Sequence, residues 1–464
     1  MKTHLIYILL NLAGLLKAQL PSALTYTLFM NNVKTFHPYV KLANAVGRIG
    51  EESLQAARGN YDPNLSGSYA TKFYDGKNYY NVFESEIKQA IFTSQSLKAG
   101  FEYGAGQYLN PSDYTPGNGL AYIGIEASLL QGLVLDKRRA DVLKARHYLK
   151  ISEQEKRHLG NTVLFESACT YSDWLLKHGV YKANRYFAAL AQSRLEGIKA
   201  LSLSGERPAL DTTETAMLLQ QRVLDFQQAH IEFQKQSAQV AINNWMNDEA
   251  GSFDATLVPA DSLEQLLEHV SKKLLSTQAN DGINNPLVLQ YRSKLDLLNV
   301  ERRFRAEMVK PVLNFNYNIL SLPVNSGEFP SLSANNYKWG ARLAFPLFLR
   351  NSRAELSIAR LKMNAMQFEY DLKQTEIQNK LKFTASSLNV LAVQLQTAAR
   401  HVDYSKRMLE AEKIRFEHGE SSVFLINARE NKWLEAELKR LDTMNKYIKT
   451  VFDYLYLKGS MDVL

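Results

Sequence analysis

The chain has 464 residues, 45% hydrophobic and 22% charged, with one cysteine and a formal net charge of +8. A single cysteine, Cys169, excludes an intrachain disulfide, and past the N-terminal segment no run reaches the roughly 18 apolar residues of a membrane helix. The positive charge is interspersed along helical stretches, which reads as solvated helix faces and excludes a nucleic-acid stripe.

Residues 1–18 set Lys2 before a short apolar core and end on Ala18. This is the pattern of a secretory signal peptide cleaved after Ala18. Loss of Lys2 and Lys17 leaves +6 (53 − 47), and with no cysteine near the cleavage point an N-terminal lipid anchor is not expected. A helix is predicted over 24–59, with Pro38 at a break or early kink. After Pro63 comes a strand, NLSGSYATKFY. Two further alternating runs follow. In VFESEIKQAIF, Phe83, Ser85, Ile87, Gln89 and Ile91 face one way. In LKAGFEYGAG, Leu97, Ala99, Phe101 and Tyr103 oppose Lys98, Gly100, Glu102 and Gly104. Residues 81–106 therefore fit either an extra membrane hairpin or an extension of the outer strands beyond the membrane. LAYIGIEASLL returns with Ala121, Ile123, Ile125, Ala127 and Leu129 on one face.

No proline interrupts 139–204. One helix of that length spans about 100 Å, although Gly160 and Gly179 also allow two helices stacked end to end. The stretch 247–283 reads as a linker punctuated by Gly251 and Pro259, with Asp261 or Ser262 capping a short helix. In PVLNFNYNIL, Leu313, Phe315, Tyr317 and Ile319 alternate with Asn314, Asn316 and Asn318. In NYKWGARLAFPLF, Tyr337, Trp339, Ala341, Leu343 and Phe345 alternate with Lys338, Gly340, Arg342 and Ala344. A soluble sheet packed on a core would show the same period. A strand pair feeding very long proline-free helices points instead to a membrane β-barrel wall with a watery inside.

The stretch 353–418 has neither proline nor glycine. Leu391, Leu395, Ala398, Val402, Ser405, Leu409, Glu412 and Phe416 step by alternating fours and threes. The return stretch does the same through Leu434, Leu438, Leu441, Asn445, Ile448, Phe452 and Leu455. The first half does so from Leu176 through Val180, Ala183, Phe187 and Leu190. These are coiled-coil seams, and their presence on outgoing and returning segments predicts antiparallel helical hairpins.

The pattern occurs twice. His37-Pro38 matches Asn285-Pro286, and Leu65 and Tyr69 match Leu313 and Tyr317, at an offset of 248 (286 − 38). Arg139-Ala140 matches Arg353-Ala354, and Gly205-Glu206 matches Gly419-Glu420, at an offset of 214 (419 − 205). The difference of 34 (248 − 214) is an insertion in the strand region of the first copy.

With these residues set out, a resemblance emerges. RFEHGESSVFLINARENKWLEAELKRL (415–441) resembles the helix-tip motif of the TolC family of outer-membrane efflux proteins. WGARLAFPLFLRNSRAELSIAR (339–360) resembles the strand by which that family enters its long helix, including Pro346, Leu347 and Phe348. The resemblance implies a mainly α protein with a membrane β region: long antiparallel coiled-coil hairpins plus strands of a shared trimeric outer-membrane barrel. It implies a first repeat at 19–246 (strands about 63–130), an equatorial linker at 247–283 and a second repeat at 284–464 (strands about 311–349). The barrel would use four strands per chain, or more if 81–106 adds a hairpin.

The function implied is that of an exit duct for tripartite efflux or type I secretion, spanning outer membrane and periplasm as a homotrimer. Its partners would be a periplasmic adaptor, an inner-membrane pump driven by protons or ATP, and outer-membrane lipid, with no nucleic acid. Leu313, Phe315, Tyr317, Trp339 and Phe345 would face lipid, and Asn314, Asn316 and Asn318 water. Gly205, Glu206, Gly419, Glu420, Ser421 and Ser422 would be the adaptor-contacting tips. Family members often carry aspartates at the second tip. Here the matching positions read Phe424 and Asn427, whereas Asp211 and Glu214 stand 213 residues earlier, so an entrance ring would use those two. Asp211 also fits a plain helix N-cap.

No catalytic, cofactor-binding or metal-binding set is expected. The nine histidines are scattered without HExxH, His158 and Glu155 read as a surface pair, and Gly104-x-Gly106 precedes no helix. The other function class is a trimeric coiled-coil stalk for adhesion or envelope bridging, without a conducting pore. Such a stalk would not need strands duplicated in step with its helices.

Overall fold

A computed structural model of the chain describes residues 23–91, 94–247, 249–276, 284–324 and 330–461. The signal peptide at 1–18 lies outside the described residues. The elements run β1 (Ala23–Leu24), α1 (Tyr26–Phe36), α2 (Pro38–Arg58), β2 (Asn64–Tyr74), β3 (Lys77–Ala90), β4 (Gln95–Ala105), β5 (Leu120–Ser128), α3 (Lys137–Leu203) and α4 (Ala209–Asn243). Then come β6 (Trp245–Met246), β7 (Glu249–Ala250), β8 (Val258–Pro259), α5 (Leu263–Ser276) and α6 (Pro286–Glu307). β9 (Val312–Ser321), β10 (Leu332–Ala344), α7 (Arg350–Glu417) and α8 (Val423–Lys458) complete the chain.

Two local expectations need correction or resolution. The helix predicted over 24–59, with a break or early kink at Pro38, is broken there into two helices. His37 is extended, at φ −63 and ψ 132, because a residue before proline is pushed out of the helical region. The stretch 139–204 lies within one unbroken helix of 67 residues. Each interior glycine costs about 1 kcal/mol, too little to break a helix that is packed along its length.

The chain forms two compact units. The first takes the described parts of 1–44, 156–286 and 374–464. Its core holds Phe29 and Met30 of α1, Tyr171 and Trp174 of α3, Phe233 of α4, Leu266 of α5, and Ile448, Phe452 and Leu455 of α8. Each such aliphatic or Phe side chain contributes about 1.5–3 kcal/mol relative to exposure. Helices α3 and α4 pair antiparallel. Trp174 Nε1 donates to Ser237 Oγ at 2.7 Å, Gln236 donates to the Thr170 carbonyl at 3.0 Å, and Tyr181 stacks on Phe226. Along α7 the predicted seam is the covered stripe, with Ser405, Leu409 and Glu412 buried.

The linker is stitched into this core. β1 pairs parallel with β8, and Asp261 accepts the Tyr26 N–H at 2.6 Å and lies 3.0 Å from the Tyr171 hydroxyl. Of the two predicted caps, Ser262 is the one used. It accepts the Gln265 N–H at 3.2 Å while Gln265 Oε1 accepts the Ser262 N–H at 2.7 Å, a reciprocal capping box.

The second unit takes 45–155 and 287–373. Its centre is one antiparallel sheet in the order β10-β9-β5-β4-β3-β2. The stretch 81–106 takes its place in that sheet. Those residues are β3 and β4, a hairpin inserted between β2 and β5 within a continuous sheet. Among the described residues no helix is long and apolar enough to cross a membrane.

Candidate duct wall and helix tips

Residues directly opposite each other in an antiparallel sheet share a face, so the registers sort the wall. Phe315 stands opposite Ala341 and Ala127, and Tyr317 opposite Trp339 and Ile125. The same face continues through Leu97 opposite Ile125, Ala99 opposite Ile123 and Ile87, and Tyr69 opposite Phe83. It is apolar at most of its positions. Leu313 shares it, and Phe345 lies one residue past β10.

Asn314, Asn316 and Asn318 lie on the other face, opposite Arg342, Gly340 and Lys338. That face is polar and charged. Lys88 pairs with Glu126 at 2.5 Å, the Tyr122 hydroxyl donates to Glu86 at 2.7 Å, and Ser128 donates to Asn314 at 2.9 Å. Glu84 stands directly opposite Glu102.

The segment between β4 and β5 folds back over this polar face. Gly104 belongs to it, opposite Val82. A Cβ at Gly104 would collide with the Asp113 carbonyl oxygen. Thr115 is buried there, and its hydroxyl accepts the Gly104 N–H at 2.9 Å. Tyr108 stacks on Tyr79 with centroids 4.5 Å apart, and Val324 donates to the Gly119 carbonyl at 3.1 Å.

In the first unit, the two helix tips have one geometry. Glu206 N–H reaches the Leu201 carbonyl at 2.9 Å and Gly205 N–H the Ser202 carbonyl at 3.1 Å. Glu420 N–H reaches Arg415 at 2.9 Å and Gly419 N–H reaches Phe416 at 3.0 Å. Both are Schellman turns, with Gly205 at φ +82 and Gly419 at φ +78. The return helices begin at Ala209 and Val423, again 214 apart (423 − 209). This register matches Asp211 to Leu425 and Glu214 to Ala428, one residue from the Phe424 and Asn427 pairing read in the sequence.

The plain N-cap reading of Asp211 does not hold, because Pro208 is the N-cap and makes no side-chain cap bond. Asp211 sits in the first turn, where its charge suits the helix N-terminus. Glu214 accepts from Asn427 at 3.4 Å. Ser422 is the N-cap of α8, and the Ser421 hydroxyl donates to Glu412 at 2.7 Å. That hydroxyl, with Arg429 and Arg415, holds the Glu412 carboxyl below the usual carboxylate range.

Sequence reasoning missed the polar network behind the tips. Arg194 of α3 pairs with the fully buried Glu430 of α8 and donates to Asn427 at 2.9 Å, and Arg222 of α4 donates to Asn431. Among the described residues no cluster of three or more metal-binding side chains occurs. Burial pushes the Cys169 thiol up to about 12, which disfavours the reactive thiolate.

Residues 284–449 match the family model described as outer membrane efflux protein. No curated protein matches the chain. Among solved structures, the chain is similar to the VceC outer membrane protein of Vibrio cholerae at 11% identity and a TM-score of 0.66, over 93% of this chain and 95% of that one. It is similar to the CmeC outer membrane channel of Campylobacter jejuni at 14% and 0.63, over 94% and 85%. It is also similar to the open MtrE outer membrane channel of Neisseria gonorrhoeae at 13% and 0.63, over 93% and 88%.

Proposed function

We propose that this chain, a member of the outer membrane efflux protein family by the match of its second repeat and with that family's channel fold, is the exit duct of a tripartite export system. One observation carries the reading. The six-stranded sheet has an apolar face, a charged face and two edge strands, β2 and β10, each with one edge unpaired among the described residues. Such a sheet cannot stand alone in hydrocarbon, where every backbone group must be paired. Closure by further copies satisfies both edges and encloses the charged face around water.

In the homotrimer, Leu313, Phe315, Tyr317, Trp339 and Phe345 face lipid, and Asn314, Asn316 and Asn318 face the aqueous bore. The first repeat (19–246), an equatorial segment (247–283) and the second repeat (284–464) each supply one part of the duct. The tips at Gly205, Glu206, Gly419, Glu420, Ser421 and Ser422 receive a periplasmic adaptor, through which the duct meets an inner-membrane pump. Three Asp211 and three Glu214 form an acidic entrance ring that favours cations. The trimer also accounts for α7, whose Phe383, Val390, Val393, Tyr404 and Met408 are exposed in the single chain. Opening requires the hairpins to shift against one another, parting contacts such as Arg194 with Glu430.

The test is the detergent-corrected mass of protein extracted from isolated outer membranes. Three chains are expected. A one-chain mass from that fraction overturns the shared wall, and recovery only in the soluble fraction favours a stalk without a pore.

A further inference from the structure

The resemblance implies four wall strands per chain, or more if 81–106 adds a hairpin; the sheet has six strands among the described residues. We infer that the inserted hairpin β3–β4 is full-depth membrane wall. We further infer that β2 of one copy pairs antiparallel with β10 of the next, so that three copies close a barrel of eighteen strands. The inference rests on the trimer proposed above.

Direction is the first argument. Five antiparallel pairings separate β2 from β10, so the two edge strands run in opposite senses. A neighbour's β10 therefore meets β2 antiparallel with no rearrangement. An insertion of two strands preserves this relation, whereas one extra strand would make the edges parallel.

Length and surface agree. A tilted membrane strand needs about 9–11 residues, and β2, β3, β4 and β10 have 11, 14, 11 and 13. The face that carries the apolar residues continues across the insertion, through Phe83 and Ile87 on β3, with Ser85 between them and Gln89 beyond, and through Leu97, Ala99 and Phe101 on β4, in register with Tyr69 and Leu65 on one side. All eleven residues of β2 are exposed, Leu65 at 73% and Tyr69 at 66% among them. A second copy is the partner that offers the matching chemistry: an antiparallel edge of like length, with Trp339 and Leu343 exposed on the same face.

The bore changes accordingly. At about 4.8 Å between strands and about 40° of tilt, twelve strands enclose a backbone diameter of about 24 Å and eighteen about 36 Å. The added wall brings Glu84, Glu86, Lys88, Lys98 and Glu102 to the water side. The segment folded over Gly104 lies on that side and narrows the mouth that the insertion widens.

The test uses the full chain with Cys169→Ser. Single cysteines are placed on β2 (Leu65→Cys or Tyr69→Cys) and on β10 (Tyr337→Cys or Ala341→Cys), and the four combinations are oxidised in isolated outer membranes. At least one pair is expected to give covalent dimers and trimers, whereas Phe83→Cys on β3 with Ala341→Cys gives none. Electron cryomicroscopy of the extracted native protein then counts strands. Eighteen supports the inference. Twelve, with β3–β4 outside the wall, overturns it, as does the absence of cross-links from all four pairs in a protein of three-chain mass. A one-chain mass instead overturns the trimer on which it rests.

Discussion

The two copies of the repeat share a backbone plan and differ in what covers it. Helices α3 and α7 have 67 and 68 residues and end in the same glycine turn. In the first unit, α3 buries Tyr171 and Trp174 completely, against α1 and α4. Over its corresponding part α7 covers one seam and leaves a second apolar stripe bare, from Phe383 to Met408 at spacings of 7, 3, 11 and 4 residues. Duplication therefore supplied one copy to build the inside of the chain and another whose outer stripe is available to neighbouring chains. A shared backbone plan does not imply a shared role.

The contrast breaks most sharply at the core. Trp174→Ala should cost about 3–5 kcal/mol, measured by thermal unfolding. Phe383→Ser with Val390→Ser on α7 should leave that unfolding unchanged within the isolated chain and lower the fraction of trimer extracted from membranes. Equal loss of stability in both would erase the distinction.

At the tips the pair of copies is welded by Arg194 and Glu430. Removing one partner of a buried ion pair costs about 3–5 kcal/mol, so Glu430→Ala should lower the unfolding temperature, and Glu435→Ala, on the exposed side, should not.

On the wall, Phe315→Arg should cost about 2–4 kcal/mol near mid-bilayer, and Asn316→Arg much less. The yield of folded trimer in outer membranes measures both. Equal tolerance at the two positions would refute the face assignment.

A smaller effect separates the copies by pH. His178 on α3 stacks on Phe233, and burial, with Lys182 nearby, lowers its pKa from 6.5 to about 4. The second copy has Ala392 at the matching position. Between those two values the unfolded chain binds a proton that the folded chain refuses. Stability conferred by neutral His178 is full above pH 6.5 and declines as pH falls toward 4. His178→Asn should remove that part of the slope from unfolding curves. The smallest expected change is a loss of cation preference in planar-bilayer recordings of Asp211→Asn with Glu214→Gln, and unchanged selectivity would sink the acidic ring.

Much of this architecture was legible locally. Alternation found the strands and their faces, because a pleat fixes side-chain direction residue by residue. Fours and threes found the seams, and paired glycines located both turns. Neighbourhood across the chain was not legible. β5 beside β9 joins residues nearly two hundred positions apart, so sequence could mark 81–106 as strand-like without placing it in the sheet. Glu430 and Arg194 read as solvated charges on long helices, since a residue type does not announce its partner. The N-cap reading of Asp211 failed for a similar reason, as the helix began three residues earlier than the acidic pattern suggested.

The parity of the inserted strands has a consequence for how such ducts diversify. A chain whose edges must run in opposite senses can gain or lose wall only by whole hairpins. In the proposed threefold assembly calibre then changes in steps of six strands, with no intermediate gauge. Fine adjustment must come from what projects inward, and the segment lying over Gly104 is positioned to make it.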